Sequence, residues 1–67
     1  MKELDAVQLT EEFKGLPAGT EGAIVLEYDG VYFEVEFFTP EGDTIDVFTT
    51  PAKVLEVIWE YTPKKEK

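Results

Sequence analysis

Carboxylates and aromatic rings are the residue types numerous enough in this sequence, and suitably spaced, to build a site. Glu27, Glu34, Glu36 and Asp46 are interleaved with Tyr32, Phe38 and Phe48 on runs that alternate polar with apolar residues. An extended chain would carry such residues on one outward face. The chemistry of that face is docking: aromatic anchors ringed by carboxylates meet lysine or arginine of a partner, and the charges set encounter rate and register. The competing reading is that solvent-facing positions are simply acidic in an acidic chain, with Phe38 and Phe48 covered by loops. The same carboxylates could hold a hard cation such as calcium, but their spacing has no loop signature for it, so no metal is expected.

Catalysis has much less to work with. Histidine, cysteine, serine, arginine and asparagine are all absent, which removes the common nucleophiles, the neutral-pH base and most transition-metal ligands. A carboxylate pair working alone needs a cleft deep enough to desolvate one partner, more than a chain of 67 residues readily builds. The expectation is a non-enzymatic chain with no catalytic residues and no cofactor.

Sixty-seven residues make one domain, and a chain near that size buries only about 60% of the surface its unfolded form exposes. With no cysteine, neither a disulfide nor a thiolate-bound zinc can staple it, so apolar packing must hold the fold. A reducing compartment suits that composition. The start of the chain has no signal-peptide stretch, and no apolar run approaches the roughly 20 residues that span a bilayer. The expected location is the cytoplasm, with no membrane partner. Fifteen acidic residues against six lysines give a formal charge of −9. Residues 63–67 hold three lysines and one glutamate, a surplus of two positive charges, so the preceding body sums to −11. Without arginine, such a body repels phosphate, which argues against nucleic acid and for a basic protein as partner.

Positioning those side chains falls to short strands. Asp29-Gly30 separates two β-rich runs, 23–28 and 31–38, as a two-residue hairpin loop would. That loop pairs Tyr28 with Val31, Leu26 with Phe33, Ile24 with Val35 and Gly22 with Phe37 on one face. Glu27–Tyr32, Val25–Glu34 and Ala23–Glu36 then share the other. Thr39-Pro40-Glu41-Gly42-Asp43 predicts a three-residue loop. Counting back from it sets Phe37 opposite Ile45 and Val35 opposite Val47 inside, with Glu36 opposite Asp46 and Glu34 opposite Phe48 outside. A like-charged Glu36–Asp46 pair costs stability and so hints at function. The predicted meander core is Ile24, Leu26, Phe33, Val35, Phe37, Ile45 and Val47.

At the ends, Val7 and Leu9 alternate as in a first strand, with a short helix over 4–13 as the rival. Thr50-Pro51 resembles a helix start, but the β-branched and aromatic alternation after it favours a 3₁₀ turn at residues 51–53 and a final strand. That strand covers residues 54–61, from Val54 to Tyr61, with Trp59 in the core, and its edge could pair with a second copy or a host complex. Five short strands in one domain, residues 1–62, predict an all-β, SH3-like, partly open barrel. Residues 63–67 read as a lysine-rich disordered tail.

Several segments together resemble a known family. Leu4-Asp5-x-Val7, Leu16-x-x-Gly19-x-x-Gly22-x-Ile24, Tyr32-x-Glu34-Val35-Glu36-Phe37, Gly42-x-Thr44 and Thr49-x-Pro51-Ala52 are similar to the small bacterial proteins of domain of unknown function 4926. Gly19-x-x-Gly22-x-Ile24 also looks like the glycine turn of KOW-type barrels, where glycine lets the chain reverse into a strand. The resemblance implies an SH3-like barrel without assigned enzymatic activity, sometimes placed with toxin, antitoxin or immunity genes. It supplies no catalytic residues. The aromatic end Ile58-Trp59-Glu60-Tyr61 and the lysine tail depart from the family pattern. The functional expectation is an acidic, antitoxin- or immunity-like module that neutralises a basic protein, the alternative being a structural or oligomerisation module or a subunit of a larger complex.

Overall fold

A computed structural model describes residues 1–63; of the lysine-rich tail expected at residues 63–67 as a disordered end, 64–67 lie outside the described residues. Strands β1 (Ala6–Leu9), β2 (Glu21–Glu27), β3 (Tyr32–Phe38), β4 (Thr44–Pro51) and β5 (Leu55–Trp59) are joined in one antiparallel sheet in the order β4-β3-β2-β1-β5. A 3₁₀ turn at Ala52–Val54 leads into β5, one residue later than its predicted start. The all-β architecture is as expected, and the sheet stays open with β4 and β5 as its edges. Among the described residues no helix is long and apolar enough to cross a membrane.

Both helical rivals give way to strand because the apolar residues alternate. Val7 and Leu9 are buried while Ala6 and Gln8, which alternate with them, are only half-buried. Phe33, Val35 and Phe37 on β3 join Val7, Leu9, Ile24, Val54 and Leu55 in a single core, and burying each such larger side chain contributes about 1.5–3 kcal/mol. Between β1 and β2 the chain makes a small excursion closed by paired hydrogen bonds between Phe13 and Leu16, 2.9 and 2.8 Å. Lys14 (φ 51°) and Gly15 (φ 82°) form its tip, the double positive φ that mirror-image two-residue turns need. Lys14 Nζ sits 5.9 Å from the Phe13 ring centre and 5.7 Å from that of Phe48.

Register matches expectation only up to two bulges. Gly22–Phe37, Ala23–Glu36 and Ile24–Val35 pair as predicted. Val25 is then an extra residue, so Leu26 pairs with Glu34 and Glu27 with Phe33. The cause is the turn. Asp29 has no positive φ, and its carboxylate instead accepts the amides of Val31 (2.9 Å) and Tyr32 (3.1 Å). With Tyr28 N–H donating to the Tyr32 carbonyl at 3.2 Å, the loop has three residues rather than two. At the next hairpin the three-residue loop is as predicted, closed by Thr39 N–H to the Asp43 carbonyl at 2.8 Å. A bulge at Ile45 follows, which turns the pairs into Phe37–Asp46, Glu36–Val47, Val35–Phe48 and Phe33–Thr50. Each one-residue slip exchanges the faces. Leu26 (42% exposed), Ile45 and Val47 therefore leave the predicted core, and buried Thr50 and half-buried Phe48 enter it. A third bulge, between the Ala6–Trp59 and Val7–Val57 pairs of β1 and β5, leaves Trp59 59% exposed instead of packed inside.

The β4 edge carries its own protection. Ala52 N–H donates to the Val31 carbonyl at 2.7 Å, and since hydrogen-bonded pairs alternate along an antiparallel ladder, the backbone groups of Val47, Thr49 and Pro51 point away from the sheet. Pro51 has no N–H to offer, and the Val47 amide is taken by Asp46 Oδ1 at 2.8 Å. Proline, charge and a bulge all discourage strand addition at an edge. Asp46→Val removes the carboxylate and is expected to increase self-association, seen as a higher sedimentation-average mass at high concentration; an unchanged mass would refute this role.

Candidate docking face

Four of the seven residues predicted for a docking surface meet on the outer face of β2, β3 and β4, and three do not. Tyr32, Glu34, Glu36 and Phe38 alternate with the buried residues of β3 and so share that face. Glu27 pairs with Phe33, Asp46 with Phe37 and Phe48 with Val35, which places all three on the core side of the sheet. Phe48 packs against the core with its ring 6.3 Å from that of Phe37. Glu27 and Asp46 stay exposed on that side. The predicted Glu36–Asp46 repulsion is absent, because the bulge at Ile45 puts Val47 opposite Glu36.

The slipped registers bring other residues in. Leu26 opposite Glu34 and Val47 opposite Glu36 stand on the outer face, and Tyr28 lies beside Tyr32, to whose carbonyl its amide donates; all three are exposed. Glu34 and Glu36 are half-buried among them. Each is held by a neutral hydroxyl: Tyr28 O–H donates to Glu34 Oε2 at 2.7 Å, and Thr44 O–H donates to Glu36 Oε2 at 2.6 Å. The carboxylate at Glu34, through this hydrogen bond, pushes the Tyr28 phenol above its ordinary value. At the nearby turn the Val31 and Tyr32 amides hold Asp29 below the usual carboxylate range. Among the described residues the one ion pair joins Lys2 to Asp5, and Lys14 lies over the core-side ring of Phe48, so neither lysine answers the charge of Glu34 or Glu36. The row Val47–Glu36–Ala23–Ala6–Trp59 continues the face across all five strands.

Such a surface offers fixed acceptor oxygens between apolar side chains. It can take a cation and an apolar group together. Residues 3–57 match the family model described as Domain of unknown function (DUF4926). The chain belongs to the DUF4926 family. No curated protein and no solved structure matches it. The DUF4926 match covers β1 to β4, the 3₁₀ turn and the start of β5, and it stops before Trp59 and Tyr61. These two rings stack edge to face with centres 6.2 Å apart.

Sequence reasoning missed Leu26, Tyr28 and Val47 because a bulge residue has no compositional mark. It also missed Asp5, which is fully buried and binds groups from both ends of the described chain.

Proposed function

We propose that this DUF4926 chain is a non-catalytic binding module of SH3-like kind that docks a more basic protein, antitoxin- or immunity-like in acting by occupying its partner. The observation that carries the reading is the pair Glu34 and Glu36, half-buried among exposed Leu26, Tyr28, Tyr32 and Val47, with hydroxyls orienting one oxygen of each. Preoriented carboxylates lose little freedom when a lysine or arginine arrives, and apolar neighbours lower the local dielectric around the new pair. A net charge of −9 adds long-range steering toward a basic surface and discourages nucleic acid.

The test is calorimetric titration of the chain against a partner isolated by affinity capture. Glu34→Lys with Glu36→Lys is expected to weaken binding at least about tenfold, the scale of one lost charge contact. Added salt should weaken it too, because exposed charges are screened over roughly 8 Å at physiological ionic strength. Affinity indifferent to both changes would refute the reading. A second reading, a subunit that assembles through β5, is favoured by one observation: Trp59 stands exposed on that edge strand.

A further inference from the structure

At the hairpin end of the sheet the β1–β2 connection and the β3–β4 hairpin face each other across a groove of about 770 Å³. Leu16 and Pro17 line one wall, Phe38, Pro40 and Ile45 the other, and Glu21 is the one charged residue of the lining. We infer that this groove is the anchor site for an extended segment of a basic protein, taking an apolar side chain next to a lysine or arginine that pairs with Glu21. The inference rests on the docking reading above and gives the partner a local chemistry.

Two observations fix the occupant. Both walls are held by their own hydrogen bonds, so the groove is preformed. Thr20 O–H donates to the Pro17 carbonyl at 2.7 Å and Gly19 N–H to the Leu9 carbonyl at 2.8 Å. Opposite, Gly42 N–H donates to the Thr39 carbonyl at 2.9 Å and Asp43 N–H to Thr39 Oγ1 at 3.1 Å. A preformed apolar concavity of this size suits a buried anchor of a few side chains. The hairpin wall is acidic as well, since it carries Glu41 and Asp43, while Lys14 on the facing connection is turned to the Phe13 and Phe48 rings. A neutral or acidic segment would gain nothing from these charges, and a second copy of this chain would bring its own −9. Phe38, predicted as a docking anchor, thus forms a wall for the partner's anchor.

The test titrates the isotope-labelled chain with three blocked tripeptides, Lys-Phe-Lys, Lys-Ala-Lys and Glu-Phe-Glu, and follows backbone amide shifts by NMR. Lys-Phe-Lys is expected to shift the amides of residues 16–21 and 38–45 and to bind at least about tenfold more tightly than Lys-Ala-Lys, with no shift from Glu-Phe-Glu. Ala18→Trp fills the groove from an exposed loop position, and Ile45→Lys places a cation on the far wall. Each should abolish the Lys-Phe-Lys shifts while the spectrum keeps its folded dispersion. Equal binding of Lys-Phe-Lys and Lys-Ala-Lys, shifts outside the two walls, or shifts that persist in both variants would overturn the assignment. The captured partner separates the two sites. If Ala18→Trp leaves its affinity intact while Glu34→Lys with Glu36→Lys abolishes it, the groove is refuted and the face stands; the reverse result refutes the face.

Discussion

Alanine at Gly22 is expected to destabilise the fold by about 3 kcal/mol, at the upper end for overpacking a closed core. Gly22 is buried on β2, between Val7 of β1 and Phe37 of β3. Its φ lies outside the left-handed region, so what it needs is space. An added Cβ would stand 2.6 Å from the Glu36 backbone oxygen, 2.9 Å from Val35 Cγ1 and 3.1 Å from Phe37 Cδ1. Side-chain rotation could relieve the second and third contacts, but the first is with backbone in a paired strand. β2 and β3 must therefore separate where Phe37 is packed. Gly30 and Gly42 provide the contrast: both have positive φ, 84° and 96°, with nothing within 4 Å of an added Cβ. Alanine there meets backbone strain alone, worth about 1 kcal/mol. Urea unfolding of the three variants checks the order, and a Gly22→Ala loss no larger than that of Gly30→Ala would refute the close-approach argument.

The same glycine shows how far the sequence could be read. The apolar alternation of residues 22–24 and 35–37 determined the central pairings of β2 and β3, because only one phase buries Ile24, Val35 and Phe37 together. Turn positions were legible for a similar reason, since Asp29-Gly30 and Pro40-Glu41-Gly42 have few other uses. Turn mechanism was not. Whether Asp29 takes positive φ or caps two amides with its carboxylate depends on where the Val31 and Tyr32 N–H groups lie, and the choice changes the loop by one residue. Bulges at Val25, Ile45 and Ile58 have no signature either, because a β-branched residue fits a bulge and a regular strand alike. One unseen residue in β4 was enough to exchange Ile45 and Val47 for Phe48 and Thr50 in the core, and to move Asp46 off the outer face. The carboxylates on β3 kept their place, since Phe33, Val35 and Phe37 alternate with them in every register. The docking face was legible along β3 and illegible on the strands beside it.

Asp5→Asn is expected to remove about 3 kcal/mol at pH 7, and to remove less as the solution is acidified, because hydrogen bonds to a buried charged group are worth about 1.5–3 kcal/mol each. The carboxylate is 1% exposed. It accepts the Lys2 amide at 3.0 Å, Lys2 Nζ at 2.7 Å and the Tyr61 amide at 2.9 Å, the last from a residue 56 positions away. Those contacts tie the turn at Leu4, with its φ of 75°, to the chain beyond β5. Burial by itself would raise the acid's pKa. The Lys2 ammonium and the Tyr61 and Lys2 amides outweigh it, and the net position is below the ordinary value of 3.8. A group depressed in the folded state stabilises above its unfolded pKa and loses that contribution as pH falls through the folded one. Stability should therefore be level in Asp5 near neutrality and fall below about pH 4, whereas Asp5→Asn, having no proton to gain there, should show a shallower acid slope. Lys2→Met tests the opposing force. With the ammonium gone and burial unchanged, the Asp5 pKa must rise toward its unfolded value, so the stability that Asp5 contributes at neutrality, and with it the loss on acidification, should shrink. Urea midpoints across pH 3 to 7 for the three proteins decide it: parallel curves would mean that Asp5 is held by packing, with its charge contributing nothing.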